Sequence, residues 1–166
     1  MGSMVQLHVS ALTDVDVSAR DPIGSIRYDQ NLVFKYVQFG ASSTGQVTAA
    51  LASGDIACYV VGTAGPGSLL DNMQLVDSAN SAVGAGVVQA TISASGGPYF
   101  GWIQIKGVAN LDQTVGGSPS AGNGLTTTSA SAKGLTKMAA VTNQYVGVLV
   151  DNSTASAPVV NVDFPF

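Results

Sequence analysis

Residues 84–111, GAGVVQATISASGGPYFGWIQIKGVANL, decide the fold class of this chain. Val87-Val88-Gln89-Ala90-Thr91-Ile92-Ser93-Ala94 is rich in β-branched residues and alternates in polarity, the pattern of a half-buried strand. Gly96-Gly97-Pro98 cannot extend a ladder, because it joins permissive φ to a missing N–H. Phe100 to Val108 then reads as the return strand of a hairpin. Ile103 and Ile105 fall on one face, and Trp102, Gln104 and Lys106 on the other. Trp102 is the only tryptophan.

The same grammar recurs on both sides. Val5, Leu7 and Val9 alternate with Gln6, His8 and Ser10, which predicts an opening strand. An Asp-rich connection, Asp14 to Asp21, is closed by Pro22. Ser25–Tyr28 and Leu32–Phe39 flank Asp29-Gln30-Asn31, a hairpin turn. Gly40–Gly45 and Gly62–Gly67 read as loops, and Ile56–Val61 and Asn72–Val76 as strands. Gln46–Ser53 fits a helical turn, a short helix or a poor strand equally well. Gly116–Gly134 reads as a long loop with one short strand near Leu125. Tyr145–Val150 and Val159–Phe164 form a closing hairpin around Asp151–Pro158.

Composition agrees. Glu, a good helix former, is absent, all ten acidic residues are Asp, and Gly occurs twenty times. The expectation is an all-β, single-domain antiparallel β-sandwich or barrel with little helix, over residues 1–166 with an N-terminal arm at 1–9. One internal echo stands out. Leu51-Ala52-Ser53-Gly54-Asp55 and Pro119-Ser120-Ala121-Gly122-Asn123 both place Gly and an Asx residue before a strand, which reads as one turn type used twice.

Charged residues are only 10% of the chain and the net charge is −4. Arg20, Arg27, Lys35, Lys106, Lys133 and Lys137 are scattered, so no phosphate-tracking surface is expected and nucleic acid is disfavoured. No apolar run approaches the ~20 residues of a membrane-spanning helix, and no secretory signal is expected. Cys58 reads as a small buried hydrophobe. A surface of Ser, Thr, Ala and Gly costs less to desolvate than one of Lys and Glu, which suits subunit contacts.

Catalytic patterns are scarce. A Ser–His–Asp set or a His-containing metal site would have to use His8, the single histidine, which reads more simply as a half-buried strand residue. Asp14 and Asp16 share a parity that could serve calcium, yet solvated turn aspartates account for them. Asn152-Ser153-Thr154 matches a glycosylation sequon. Tyr99, Phe100 and Trp102 form an aromatic cluster, read as packing at an intrachain or subunit contact. No enzyme activity, cofactor or metal is expected.

At Gly101-Trp102-Ile103-Gln104-Ile105-Lys106-Gly107-Val108-Ala109 the chain resembles small head proteins of tailed bacteriophages, whose pattern is G-W-[IV]-Q-x-x-G followed by small and apolar residues. Ser120-Ala121-Gly122-Asn123 and Val146-Gly147-Val148-Leu149-Val150 resemble the later turn and strand of that group. Pro22-Ile23-Gly24-Ser25-Ile26 and Phe34-Lys35-Tyr36-Val37 resemble its early part. The resemblance implies a capsid decoration, or cement, protein: a β-rich module without catalytic residues that clamps junctions of the major capsid protein. It would sit on the virion exterior, after assembly in the host cytoplasm, as a homo-oligomer, trimer ahead of dimer. The contact residues expected on this reading are Val5, Leu7 and Val9 of the arm, Trp102, and Phe164 and Phe166 of the C-terminus, whose aromatics look too terminal for a monomer core. The alternative is a tail-fibre or receptor-binding module that stacks carbohydrate on Trp102 and Tyr99.

Overall fold

The computed structural model describes residues 8–39, 50–59, 74–77, 83–93, 98–127, 133–139, 144–151 and 157–164, with backbone alone at 74–77 and 83. Those residues contain strands and no helix. The strands are β1 (Ile26–Asp29), β2 (Leu32–Phe39), β3 (Ile56–Tyr59), β4 (Gln74–Asp77), β5 (Val83–Val88), β6 (Tyr99–Asn110), β7 (Gly124–Thr127), β8 (Leu135–Lys137), β9 (Gly147–Asp151) and β10 (Val159–Asp163). All belong to one sheet, and every pairing is antiparallel except the short parallel contact of β2 with β4. The all-β expectation therefore holds.

Two long strands organise the sheet. β2 and β6 pair over seven positions, with Tyr36 directly opposite Trp102 and Lys35 opposite Ile103. Each strand offers its two edges to more than one neighbour. β2 takes β1 along its first half and β4 at its end, while β6 takes β5 at Gln104 and β10 from Lys106 to Asn110. Pairing consequently runs in a circuit through β2, β4, β3, β5 and β6 and back to β2. A wing of β10, β9, β7 and β8 extends from β6.

Alternation along β2 and β6 sorts side chains onto two faces, and both faces are covered. Val33, Val37, Phe39, Ile103 and Ile105 enter the main core with Leu51, Ile56, Val87, Leu125, Leu149, Val160 and others. Phe34, Tyr36, Phe100 and Trp102 form a second cluster on the opposite face. The sequence parity of Ile103 and Ile105 against Trp102 is thus correct, but the Trp102 face is interior. Trp102 and Gln104 are buried there, and only Lys106 emerges.

The hairpin at 84–111 is also corrected in length. The strand ends at Val88, not Ala94, and only Val87 and Val88 pair with β6. Beyond Val88 the chain bends so that Ile92 exchanges two backbone hydrogen bonds with Leu51, at 2.7 and 2.9 Å, and both side chains reach the core. That burial outweighs local strand propensity. The predicted opening strand is corrected as well: His8 to Ser10 is irregular, and Val5 and Leu7 lie outside the described residues. Also outside them lie the 40–45 and 62–67 loops, the 96–97 part of the hairpin turn and the 152–154 sequon.

The β1–β2 and β9–β10 hairpins form as expected, the first turning at Gln30 with φ 52°. The repeated turn is real and more frequent than the sequence echo indicated. In Ala52–Asp55 the Asp55 N–H donates to Ala52 O, and the Ala52 N–H donates back to Asp55 Oδ2 at 2.7 Å. Ser120–Asn123 repeats this, with Ser120 N–H on Asn123 Oδ1 at 3.0 Å. Gly54 and Gly122 stand third in these turns with φ of 93° and 86°, a region that favours glycine. Ala11–Asp14 carries the same reciprocal pair without a glycine. Pro22–Ser25 keeps the backbone bond and the left-handed Gly24, and Pro22 has no N–H to return.

Candidate functional site

The segment from His8 to Ser25 crosses the outer face of β2 and β6 as a strap and closes the second cluster. It has no periodicity, so it forms no ladder of its own and is fastened at separate points. Asp16 exchanges backbone hydrogen bonds with Phe100 at 2.8 and 3.0 Å. Gly24 N–H donates to Tyr36 O at 2.8 Å, and Tyr36 N–H donates to Ser25 O at 2.9 Å. Arg20 N–H donates to the Tyr36 hydroxyl at 3.2 Å, and the Arg20 guanidinium pairs with Asp16 at 2.8 Å. Leu12 packs onto the cluster from above.

The first described residues of the strap converge on one carboxylate. Asp21, buried, accepts from Val9 N–H and Ser10 N–H, each at 3.1 Å, and from the Ser10 hydroxyl. That hydroxyl accepts in turn from Trp102 Nε1–H at 2.9 Å. His8 sits edge-on to Trp102 at 5.0 Å, with Nδ1 3.6 Å from Asp21 Oδ1. Tyr36 also meets the indole, with ring centroids 5.1 Å apart. Burial works to raise the Asp21 carboxyl, but the Ser10 hydroxyl, the Val9 and Ser10 amides and nearby His8 outweigh it and hold the group below its ordinary value.

Ser10, His8 and Asp21 are therefore brought together, but not as a nucleophile and its base. The carboxylate lies between serine and histidine, and the serine oxygen is engaged by Asp21 and Trp102. A base must reach the hydroxyl it activates, and His8 faces the carboxylate instead. Asp14 and Asp16 do not act as a pair either: Asp14 Oδ2 accepts from Ala11 N–H within its turn, while Asp16 binds Arg20. Among the described residues no group of three His, Cys, Asp or Glu could hold a metal ion.

The expected contact residues divide. Trp102 is 1% exposed and Phe164 3%, so neither side chain offers surface to a partner, and both assignments are corrected. Trp102 is the strap's anchor. Phe164 belongs to the main core: its N–H donates to Ile105 O at 2.9 Å, extending the ladder past β10. Its ring lies against Gly84 of β5, where an added Cβ would stand 2.9 Å from a ring carbon. A residue late in the sequence completes a core when its backbone runs beside a central strand, as Phe164 does beside β6. Val5, Leu7 and Phe166 lie outside the described residues. Val9 is 71% exposed.

Val9 has company. Seven large hydrophobic residues stand exposed among the described residues, and four of them, Val9, Val17, Ile23 and Tyr28, fall within residues 8–28. Several charged groups of the same segment are engaged within it: Asp14 in its turn, Asp16 with Arg20, and Asp21 with the Val9 and Ser10 amides. Arg27 on β1 likewise donates to Ser10 O at 3.5 Å. The outer side of the strap thus carries Val9, Val17 and Ile23 among small and polar residues, over a polar fastening. Elsewhere a groove of about 530 Å³ runs past Gln30, Asn31, Leu32, Lys106, Gly107, Val108 and Asn161. It has no aromatic side chain on which a sugar could stack.

Sequence reasoning missed a further group. Lys35 lies on the core side of β2 and is buried, with Nζ 2.9 Å from the Tyr59 hydroxyl. The ammonium stands 5.3 Å from the ring centroid, beyond the hydroxyl and off the ring face, so the contact is a hydrogen bond. Burial pushes the Lys35 ammonium below its ordinary value and Tyr59 up to about 12. The signal was present, since Lys35 shares its parity with Val33, Val37 and Phe39. Asp21 gave no comparable sign among the other aspartates of its connection.

Comparison with known proteins finds no matching family model, no matching curated protein and no matching solved structure.

Proposed function

We propose that the chain is a structural virion protein that binds the exterior of an assembled phage capsid at junctions of the major capsid protein and stabilises the shell. The observation that carries the contact role is the exposed apolar side of the strap and the adjoining β1. There Val9, Val17, Ile23 and Tyr28 stand outward, while Asp16 pairs with Arg20 and Asp21 is bound by the Val9 and Ser10 amides. Such a face loses little hydration when covered, and each Å² of apolar surface removed from water contributes roughly 25 cal/mol. The capsid as partner rests on the Gly101–Ala109 resemblance and its companions at residues 22–37 and 120–150. The mode of action is mechanical, with no reaction and no cofactor. Several copies in a homo-oligomer, trimer in preference to dimer, would engage neighbouring capsid subunits together and gain avidity. A carbohydrate-binding role on a tail fibre is less favoured, because Trp102 is enclosed and only the half-buried Tyr99 of its two stacking rings remains accessible.

Co-sedimentation with expanded empty capsids tests this. The protein is expected to bind saturably, with a fixed copy number per shell. Val17→Asp with Tyr28→Asp, both at positions more than 70% exposed, is expected to abolish binding while leaving the unfolding midpoint nearly unchanged. Failure of the unsubstituted protein to co-sediment with its virus's capsids would end the capsid reading. Equal binding by the double variant would end the strap's part in it.

A further inference from the structure

We infer that Asp21 is a carboxylate latch that seats His8–Ser10 across Trp102, and that neutralising it frees these three residues while the sheet beneath stays folded. The grounds are geometric. Val9 and Ser10 are in no strand, and the bonds of their two N–H groups run to Asp21 rather than to the sheet. The Ser10 hydroxyl adds a third bond to the same carboxylate and relays it to Trp102 Nε1. The rest of the strap has separate fastenings at Phe100 and Tyr36, which do not pass through Asp21. Opening can therefore be local, as expected where one segment hangs on a few bonds to one group.

The charged and titratable groups around the latch are few. His8 faces the carboxylate from the arm at 3.6 Å, and its charged form adds attraction. Arg27, from β1, donates to Ser10 O and adds a second hold on the arm. Arg20 is turned to Asp16, and β2 and β6 present Tyr36 and Trp102. Protonating Asp21 converts an acceptor of three hydrogen bonds into a neutral acid and removes the attraction for His8. The arm's release is thus an acid response carried by one residue. At neutral pH Asp21→Asn removes the charge and replaces one of the two acceptor oxygens with an NH2 that cannot accept, so the Val9 amide and the Ser10 amide and hydroxyl can no longer all be satisfied. This inference stands on the latch geometry and does not depend on the capsid reading.

Trp102, the only tryptophan, reports directly on the latch. In Asp21→Asn at neutral pH, amide exchange at Val9 and Ser10 is expected to rise at least ~10-fold. Exchange at Ile103 and Ile105 should stay as protected as in the unsubstituted protein. Indole emission should shift to the red and become more open to acrylamide. In the unsubstituted protein the same changes should appear on acidification below the ordinary carboxylate range, before far-UV circular dichroism is lost. If Asp21→Asn does not fold, that acid titration followed by amide exchange decides alone. Ser10→Ala, which keeps both amide bonds to Asp21, should give the red shift with a smaller rise in exchange at Val9. Unchanged exchange at Val9 and Ser10 in Asp21→Asn would overturn the latch. So would an equal rise across β2 and β6, since Asp21 would then hold the fold and not the arm.

Discussion

The Lys35–Tyr59 pair makes the sharpest energetic prediction. Lys35 is 4% exposed, its Nζ donates to the Tyr59 hydroxyl, and it is the one basic side chain buried among the described residues. Removing charged groups from an interior in favour of apolar ones of similar volume is often neutral to stabilising, by ~1–4 kcal/mol. Lys35→Met alone keeps the stem volume but strands the Tyr59 hydroxyl, a cost of ~1–3 kcal/mol that offsets the gain. Tyr59→Phe alone leaves the ammonium without its described partner and should destabilise by ~1–3 kcal/mol. The double substitution removes both liabilities and should be more stable than the parent by ~1–4 kcal/mol, about 3–12 °C in Tm at this chain length. The pH dependence carries the sign. Below the ordinary lysine range the unfolded chain holds the Lys35 proton more tightly than the folded one, so stability rises with pH toward about 10. Above about 10 unfolded Tyr59 ionises while the folded phenol keeps its proton to about 12, so stability falls. Urea unfolding across this range should show the rising limb vanish in Lys35→Met and the falling limb flatten in Tyr59→Phe. A double variant less stable than the parent, or an unsubstituted profile without a rising limb, would refute the reasoning.

Two further substitutions test the packing. Gly54→Ala and Gly122→Ala share a left-handed φ, but an added Cβ would stand 2.7 Å from Asp112 N at residue 54 and meet nothing within 4 Å at residue 122. Thermal unfolding should therefore show a loss of about 1 kcal/mol at Gly122, from backbone strain alone, and a clearly larger one at Gly54. Phe164→Ala should cost ~3–5 kcal/mol in chemical denaturation as a core cavity, whereas an exposed terminal aromatic would cost almost nothing.

Local grammar was legible in the sequence wherever a strand and its turn are neighbours. The β1–β2 and β9–β10 hairpins and the Ala52–Asp55 and Ser120–Asn123 turns follow from residues a few positions apart. What was not legible depends on contacts across the chain. Alternation showed that Trp102 and Ile103 point opposite ways, but nothing in a period of two says that a strap from residues 8–25 will cover the Trp102 face. Strand propensity at Gln89–Ala94 lost to the burial of Ile92 against Leu51, 41 residues away in sequence. Phe164 looked too terminal for a core because position along a chain says little about position in a sheet. The glycine at residue 84, which makes room for its ring, could not be connected to it beforehand.

These outcomes move Trp102 from the outside of the molecule to the inside, and the proposed contact surface with it. The strap that hides the indole directs Asp14, Asp16, Arg20 and Asp21 to partners of its own and leaves Val9, Val17 and Ile23 outward, with Tyr28 of β1 beside them in sequence. Their energy can be bounded. Full burial of a Val, Ile or comparable side chain contributes ~1.5–3 kcal/mol, and these residues have roughly two thirds of that still to gain, so the four together supply about 4–8 kcal/mol. Association of two bodies costs about 4–15 kcal/mol in lost freedom, so one strap alone holds a partner weakly. Arms, a second surface or several linked copies must add to it. On the proposed reading this is why the assembly state matters: tight, saturable binding at fixed stoichiometry would arise from several straps engaging one shell together, not from the affinity of any single one.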